Sequence, residues 1–274
     1  MKKLFLIGII FVVIGAGGLL LTGVSFSTDE EKKIVEERML EGDINTVEID
    51  IDIGKVTVTE SERDNIVVHY EGTVPTDQFT FEAESNGNRA QIVAKSKPQI
   101  FSFPFISSNW NAKRELLVEL PKRGMEKVVI HGDVAAIYAD TEHVATLEAK
   151  SDTGKMSIEK FHGEQLTLRS DVGSIFVVEA SGGMDIQTDT GNIDLTVTEV
   201  TNHIRLKSDV GQIDVKLQQV PDALGFDIAS DVGPVSVANL EGFDQFTGSP
   251  IRAFKGEGGP ILDVKTDVGS ITVR

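Results

Sequence analysis

The sequence predicts an all-β chain, a parallel β-solenoid (β-helix) of about 20-residue coils preceded by an N-terminal transmembrane helix. Three observations carry that expectation. An S/T-D-x-G corner recurs along the second half, as SDTG from Ser151, SDVG from Ser170, TDTG from Thr188, SDVG from Ser208 and Ser230, and TDVG from Thr266. Apolar residues alternate with polar ones on both sides of each corner. The chain opens with an uncharged run of 23 residues, Leu4 to Phe26.

The period is read from the aspartates. Those at 133, 152, 171, 189, 209, 231 and 267 follow one another at 18 to 22 residues until a last step of 36. Looser copies stand at Asp52-Ile53-Gly54 and at Asp133-Val134-Ala135, where alanine replaces the glycine. Around Asp209, Ile204, Leu206 and Ser208 share one face; after the corner, Ile213, Val215 and Leu217 do. Each unit is thus a strand, a corner and a second strand, apolar on one side only. One unit cannot bury that side alone, so units must stack. Coils and a meander of two-residue hairpins both fit this parity, but Val-Gly suits a type II turn, which splays hairpin strands, and so favours coils.

The repeat supplies the candidate structural positions: Asp52/Gly54, Asp152/Gly154, Asp171/Gly173, Asp189/Gly191, Asp209/Gly211, Asp231/Gly233 and Asp267/Gly269. Each glycine is expected at positive φ in a type II turn. Each aspartate is expected to accept a hydrogen bond from a backbone N–H one or two residues on.

In order, the chain divides into an anchor (1–27), a stalk (28–43), an N-terminal β region (44–125) and the repeat solenoid (126–274). About 35 Å of helix over Leu4 to Phe26 is enough for a hydrocarbon core of about 30 Å. Lys2 and Lys3 before it, with Asp29, Glu30 and Glu31 after it, direct the N-terminus to the cytoplasm and the rest outward. A cleaved signal peptide is the competing expectation. Residues 28–43 suit a short helix or a solvated stalk. Val47, Ile49, Ile51 and Ile53 then alternate with acids, Asn86-Gly87-Asn88 marks a hairpin, and LLVELP (Leu116 to Pro121) reads as a strand ended by proline. The aromatic stretch IFSFPFISSNW (100–110) suits an end cap, a membrane-interface loop or a partner contact. Between Ala238 and Pro260 the longer period suggests a loop bulging from one coil before the final one.

Composition narrows the function. Beyond residue 28 the chain holds 24 basic against 43 acidic side chains, a formal charge of −19. Such a surface repels nucleic acid and anionic headgroups. With no cysteine there are no disulfides and no thiolate metal sites. His69, His131, His143, His162 and His203 are isolated, no H-E-x-x-H or G-x-S-x-G occurs, and Gly256-Glu257-Gly258-Gly259 lacks the context of a phosphate loop. No catalytic, cofactor or metal residue is therefore assigned.

The aspartates carry what chemistry there is. Stacked in register they form a column, Asp152, Asp171, Asp189, Asp209 and Asp231, with Asp267 beyond the long loop. Neighbours about 4.8 Å apart repel by about 0.9 kcal/mol in a water-like dielectric. Corner hydrogen bonds, the adjacent Lys150, Arg169, Lys207 and Lys265, or bound Ca²⁺ would each offset that.

The anchor, the segment INTVEIDIDIGKVTV (Ile44 to Val58), LLVELP and the serial S/T-D-x-G-x-I-x-V units together resemble the bacterial adhesin-like family of LiaG-like proteins. The resemblance covers Ile44 to Arg274. It implies a membrane-anchored, outward-facing β-solenoid of Gram-positive bacteria, sometimes linked with envelope stress, and it brings no established active site. The expected protein is thus a non-enzymatic, single-pass module at the cell membrane, its C-terminal domain extracellular, its partner an envelope protein or cell-wall component and not nucleic acid. A polysaccharide-acting β-helix enzyme and a cation-binding surface protein are the alternatives.

Overall fold

In the computed structural model, the structure describes residues 31–75, 79–96 and 113–274. The segment 1–27, expected as an anchor, and the aromatic stretch 100–110 lie outside them. In chain order the strands begin with β1 (Glu31–Leu40), β2 (Thr46–Ser61), β3 (Ile66–Pro75), β4 (Phe79–Asn86), β5 (Arg89–Ser96) and β6 (Arg114–Pro121). Then come β7 (Met125–Thr141), β8 (Val144–Thr153), β9 (Met156–Val172), β10 (Ile175–Thr190), β11 (Ile193–Glu199), β12 (Ile204–Val210) and β13 (Ile213–Leu217). The last are β14 (Leu224–Val232), β15 (Val235–Val237), β16 (Phe246–Thr247), β17 (Ile251–Lys255), β18 (Ile261–Val268) and β19 (Ile271–Val273). Among the described residues no helix is long and apolar enough to cross a membrane.

Parallel pairing in register stacks the coils, with a first face before each corner and a second after it. On the first face the order is β5, β2, β7, β8, β9, β10, β12, β18, β14. On the second it is β6, β2, β7, β9, β10, β11, β13, β19, β15. Strands β2, β7, β9 and β10 are long because they run through a corner or a return bend and so serve both faces. Alternation places Ile186, Ile193, Leu206, Ile213, Val264 and Ile271, with their equivalents in every coil, in one continuous core.

Two features differ from the sequence-based expectation. Residues Glu31–Leu40, expected as a helix or stalk, form a strand bonded to β3. The 36-residue step is not a bulge before an outermost coil. The chain lays down β14 and β15, covers them with antiparallel β17 and β16, and returns to insert β18 and β19 between the coil of β12 and β13 and that of β14 and β15. The beginning behaves alike, since antiparallel β3 and β4 lie outside β6 and β5, which were inserted beside β2.

Both ends thus carry antiparallel strands, which cover the edges of the parallel coils themselves. Aromatic rings plug the core there: Tyr70 stacks on Phe79 and Phe81 at 5.0 and 5.1 Å, and Phe243 packs on Phe226 at 4.5 Å.

Candidate interaction edge

The corners line up along one edge of the stack and show what the S/T-D-x-G pattern does. Register pairs Gly54 with Ala135 and carries Ile53 through Val134, Thr153, Val172, Thr190, Val210 and Val268 to Val232. The type II turns expected at the glycines do not form. Gly54, Gly154, Gly191, Gly233 and Gly269 have φ of 145°, 150°, 154°, 150° and 159°, far from the value of about +80° such a turn needs. Gly173 and Gly211 lie outside the positive range altogether. Instead the ladder continues through the bend: the N–H groups of Gly154, Gly173, Gly191 and Gly211 donate to Val172, Thr190, Val210 and Val268 carbonyls of the next coil at 2.9–3.0 Å. Gly269 does the same toward Val232 at 2.9 Å, so Gly233 belongs to the last coil of the line.

Glycine is required by close approach. A Cβ on Gly173 would stand 1.9 Å from the Gly154 carbonyl oxygen, on Gly191 2.1 Å from that of Gly173, on Gly269 1.8 Å from that of Gly211, and on Gly233 2.0 Å from that of Gly269. The alanine copy escapes by exchange. Ala135 turns its methyl over Gly132, where a Cβ would meet it at 2.4 Å, and Gly132 occupies the place that Ser151 holds in the next coil.

The first residue of the motif, to which sequence reasoning gave no role, is the buried one. Ser208, Thr188, Ser230 and Ser151 donate their hydroxyls to the carbonyls of Gly191, Gly173, Gly269 and Ala135 at 2.8–3.0 Å. These bonds tie each corner to its neighbour. Ser170 is the exception, with a buried hydroxyl that has no partner among the described residues. Ser208→Ala should therefore cost about 1 kcal/mol in urea unfolding, while Ser170→Ala should be close to neutral. Equal losses at both would remove this role for the hydroxyl.

The aspartates do not hold the corners. Asp133, Asp152, Asp171, Asp189, Asp231 and Asp267 are exposed and Asp209 is half-buried. Asp152 and Asp209 pair with Lys150 and Lys207 at 3.3 and 2.7 Å. The basic residues form the adjacent column, in which His131, Lys150, Arg169, Gln187, Lys207 and Lys265 follow in register. Among the described residues Asp52 is the one corner aspartate that accepts from backbone, from the N–H groups of Ile53 and Ser96 at 2.7 Å each, beside Arg114.

The inserted coil also changes the neighbours. Asp209 stands between Asp189 and Asp267, not between Asp189 and Asp231. Asp209→Asn relieves repulsion from both and forfeits the Lys207 pair. These partly cancel, so a stability change below about 0.5 kcal/mol is expected. Among the described residues no group of three or more His, Asp or Glu is placed to hold a metal ion. Millimolar Ca²⁺ should then move the melting temperature no more than Mg²⁺ at equal ionic strength; a saturable rise selective for Ca²⁺ would restore a cation site.

Beside the carboxylates runs an apolar ridge. Ile53, Val134, Val172, Val210, Val268 and Val232 are 47% to 63% exposed, with Thr153 and Thr190 completing the line. The motif's third residue, which the bend turns outward, forms this ridge in every coil. Thr153 and Thr190 divide it into Ile53 with Val134, Val172 alone, and Val210, Val268 and Val232 together, and aligned exposed apolar residues of this kind mark an interaction surface.

Elsewhere the stack pairs other groups. On the second face Asp194 and Asp214 are opposite each other, and Arg274 donates to Asp214 at 2.7 Å. Asp194 is exposed at the surface, yet partial desolvation, then the Asp214 charge, raises its pKa above the ordinary carboxylate value, while Arg274 opposes the shift. An acid whose folded pKa lies above its unfolded one loses stability as pH rises through that interval. Asp194→Asn should therefore raise the melting temperature at neutral pH, and the gain should vanish at acid pH, where Asp194 is protonated. A gain that persists there would exclude the electrostatic cause.

The return bends bring His143 and His162 to one shallow hollow with Glu126, Glu142 and Glu164, a proximity that chain spacing does not reveal. His143 bonds Glu60 at 2.7 Å, which raises its pKa. His203 accepts the Ile261 N–H at 2.9 Å.

The family model described as Toastrack DUF4097 matches residues 44–135 and 125–274. Among curated proteins none matches. Solved structures similar to this chain include a candidate cell adhesion protein from Clostridium sporogenes, with 14% identity, TM-score 0.43 and coverage of 88% of this chain and 99% of that one. A candidate adhesin from Bacteroides fragilis has 14% identity and TM-score 0.47, covering 90% and 99%. Another, from Parabacteroides distasonis, has 12% identity and TM-score 0.43, covering 90% and 98%.

Proposed function

We propose, from the premise that the chain belongs to the Toastrack DUF4097 family, that it is a non-enzymatic, adhesin-like interaction module at the bacterial cell envelope. Its place is that of the LiaG-like proteins: anchored by Leu4 to Phe26, N-terminus cytoplasmic, domain extracellular, with a part in the response to envelope stress. The corner edge is the observation that carries the proposal. Eight coils repeat the same outward residue there, half-exposed and apolar at six of them, beside a line of carboxylates. Exposed apolar residues are ordinary when scattered; it is their alignment in one row that points to a binding surface.

The partner is an envelope protein or a cell-wall component. Capture from envelope extracts by the full-length protein tests this, with wild type compared to Val172→Ser/Val210→Ser/Val268→Ser. Those side chains add little to the core, so the variant should melt like wild type and lose the partner. Equal capture by both would overturn the use of this edge.

One observation favours a second reading. Asp194 and Asp214 are adjacent carboxylates, of which Asp214 is bonded to Arg274 at 2.7 Å and Asp194, on the exposed face, has its pKa raised by partial desolvation and by the Asp214 charge. Polysaccharide hydrolysis uses such a pair. They stand on the open second face. Clearing of cell-wall or pectic glycan in a zymogram, lost in Asp194→Asn, would establish the enzyme instead.

A further inference from the structure

The strand β1 ends the second face at the N-terminal side, and among the described residues it pairs with β3 alone. Its contacts with the β3 region run antiparallel: Lys33 reaches Glu71 at 2.8 Å, Glu37 reaches His69 at 3.3 Å and Met39 reaches Asn65 at 3.5 Å. Among the described residues nothing pairs with its other edge, and Val35 and Met39 are 68% and 52% exposed. Two apolar side chains on an open edge strand invite another strand.

The residues say which strand. Ile34-Val35-Glu36-Glu37-Arg38-Met39-Leu40 is a chemical palindrome about Glu37. In an antiparallel pair of identical strands, opposite residues share a face, so each residue meets one an even number of positions away. Arg38 pairs with Glu36 of its own strand at 2.6 Å; centring the pair on Glu37 sets Val35 against Met39, brings each Arg38 opposite the other copy's Glu36 so that the two acid-base pairs adjoin, and continues the core side with Ile34 against Leu40. The one unfavourable pair is Glu37 with itself, and His69 stands beside that carboxylate in each copy. Shifting the centre to Glu36 sets Val35 against Glu37 and Ile34 against Arg38. Centring on Val35 sets Lys32 against Arg38 and Ile34 against Glu36. Only the register about Glu37 matches apolar with apolar and acid with base.

We propose that β1 is a self-association edge, on which a second copy of this chain pairs its own β1 antiparallel with Glu37 on the two-fold axis. The contact is the same patch on both copies and closes at two. It is distinct from the corner edge and holds whether or not that edge binds a partner.

The chain has no cysteine, so an introduced thiol can form a disulfide only between copies. The full-length protein in native membranes, oxidised with copper phenanthroline, supplies the test. Glu37→Cys should give at least about tenfold more dimer than Val35→Cys, because Val35 lies some 13 Å from its own counterpart in this register, beyond disulfide reach. Val35→Cys co-expressed with Met39→Cys should give the mixed dimer. Arg38→Glu should reduce the Glu37→Cys dimer about tenfold by placing acids opposite each other twice, and Glu36→Arg/Arg38→Glu should restore it to within about twofold. Equal melting temperatures across the set would show that the fold is intact. Lack of dimer from both Glu37→Cys and the mixed pair, equal dimer from Val35→Cys alone, or indifference to Arg38→Glu would each overturn the proposal.

Discussion

Gly211→Ala is expected to lower the unfolding free energy by about 3 kcal/mol, whereas Gln212→Ala beside it should change it by less than about 0.5 kcal/mol. The added methyl would meet the Gly191 carbonyl oxygen at 1.9 Å and the Ser208 hydroxyl at 2.9 Å. Neither neighbour can retreat. The Gly191 carbonyl accepts the Ser208 hydroxyl, and the Gly211 N–H is bonded to the Val268 carbonyl on the other side. The exposed Gln212 side chain has no such neighbour. Since Gly211 lies outside the positive-φ range, torsional strain would not explain the loss. Gly87 separates the two causes: its φ is 63° and nothing lies within 4 Å of a Cβ there, so Gly87→Ala carries a torsional cost alone, about 1 kcal/mol. Urea unfolding of the three variants checks the ordering, and similar losses at Gly87 and Gly211 would contradict the steric account.

Asp52→Ala should cost about 3 kcal/mol, although the same substitution at Asp171 should be nearly silent. The two aspartates hold the same place in the motif. Asp171 is exposed, while the side chains of Asp52 and Arg114 are only 15% and 13% exposed. Removing the carboxylate strands the guanidinium and frees the Ser96 N–H, which is bonded to Asp52 at 2.7 Å. The site is dry enough that burial pushes the neighbouring Tyr70 hydroxyl up to about 12, with Arg114 opposing and Asp52 adding to the shift. Thermal melts of the two variants decide the point, and comparable losses would mean that the corner aspartates share one structural role.

The contrast shows what a repeat discloses and what it hides. Parity within a coil was legible, because a one-residue slip would turn Ile213, Val215 and Leu217 to solvent. The corners were legible as bends, and the hairpin at Asn86-Gly87-Asn88 stands where those residues place it. The order of coils was not. Ile204-Arg205-Leu206 offers the same face to Leu262-Asp263-Val264 as to Phe226-Asp227-Ile228, so alternation cannot say which is its neighbour. The corner glycines were found for a torsional reason and are needed for a steric one, since closeness between coils leaves no mark on a single copy. The buried hydroxyls were visible as the S/T of the motif, and six copies of a small hydroxyl on the apolar face were the available signal. Strand β1 was obscured by its charges, which read as solvation until Lys33 and Glu37 are seen against Glu71 and His69.

That the outward edge of the corners is the working surface is tested most directly by photocrosslinking in living cells. Benzoylphenylalanine is placed at Val210 on the ridge and, in a separate strain, at the exposed Lys216 on the second face of the same coil. A discrete crosslinked species is expected from Val210, weakened when Val172 and Val268 are changed to serine, and none is expected from Lys216. The same species from both positions, or a discrete one from Lys216 alone, would contradict that use of the edge.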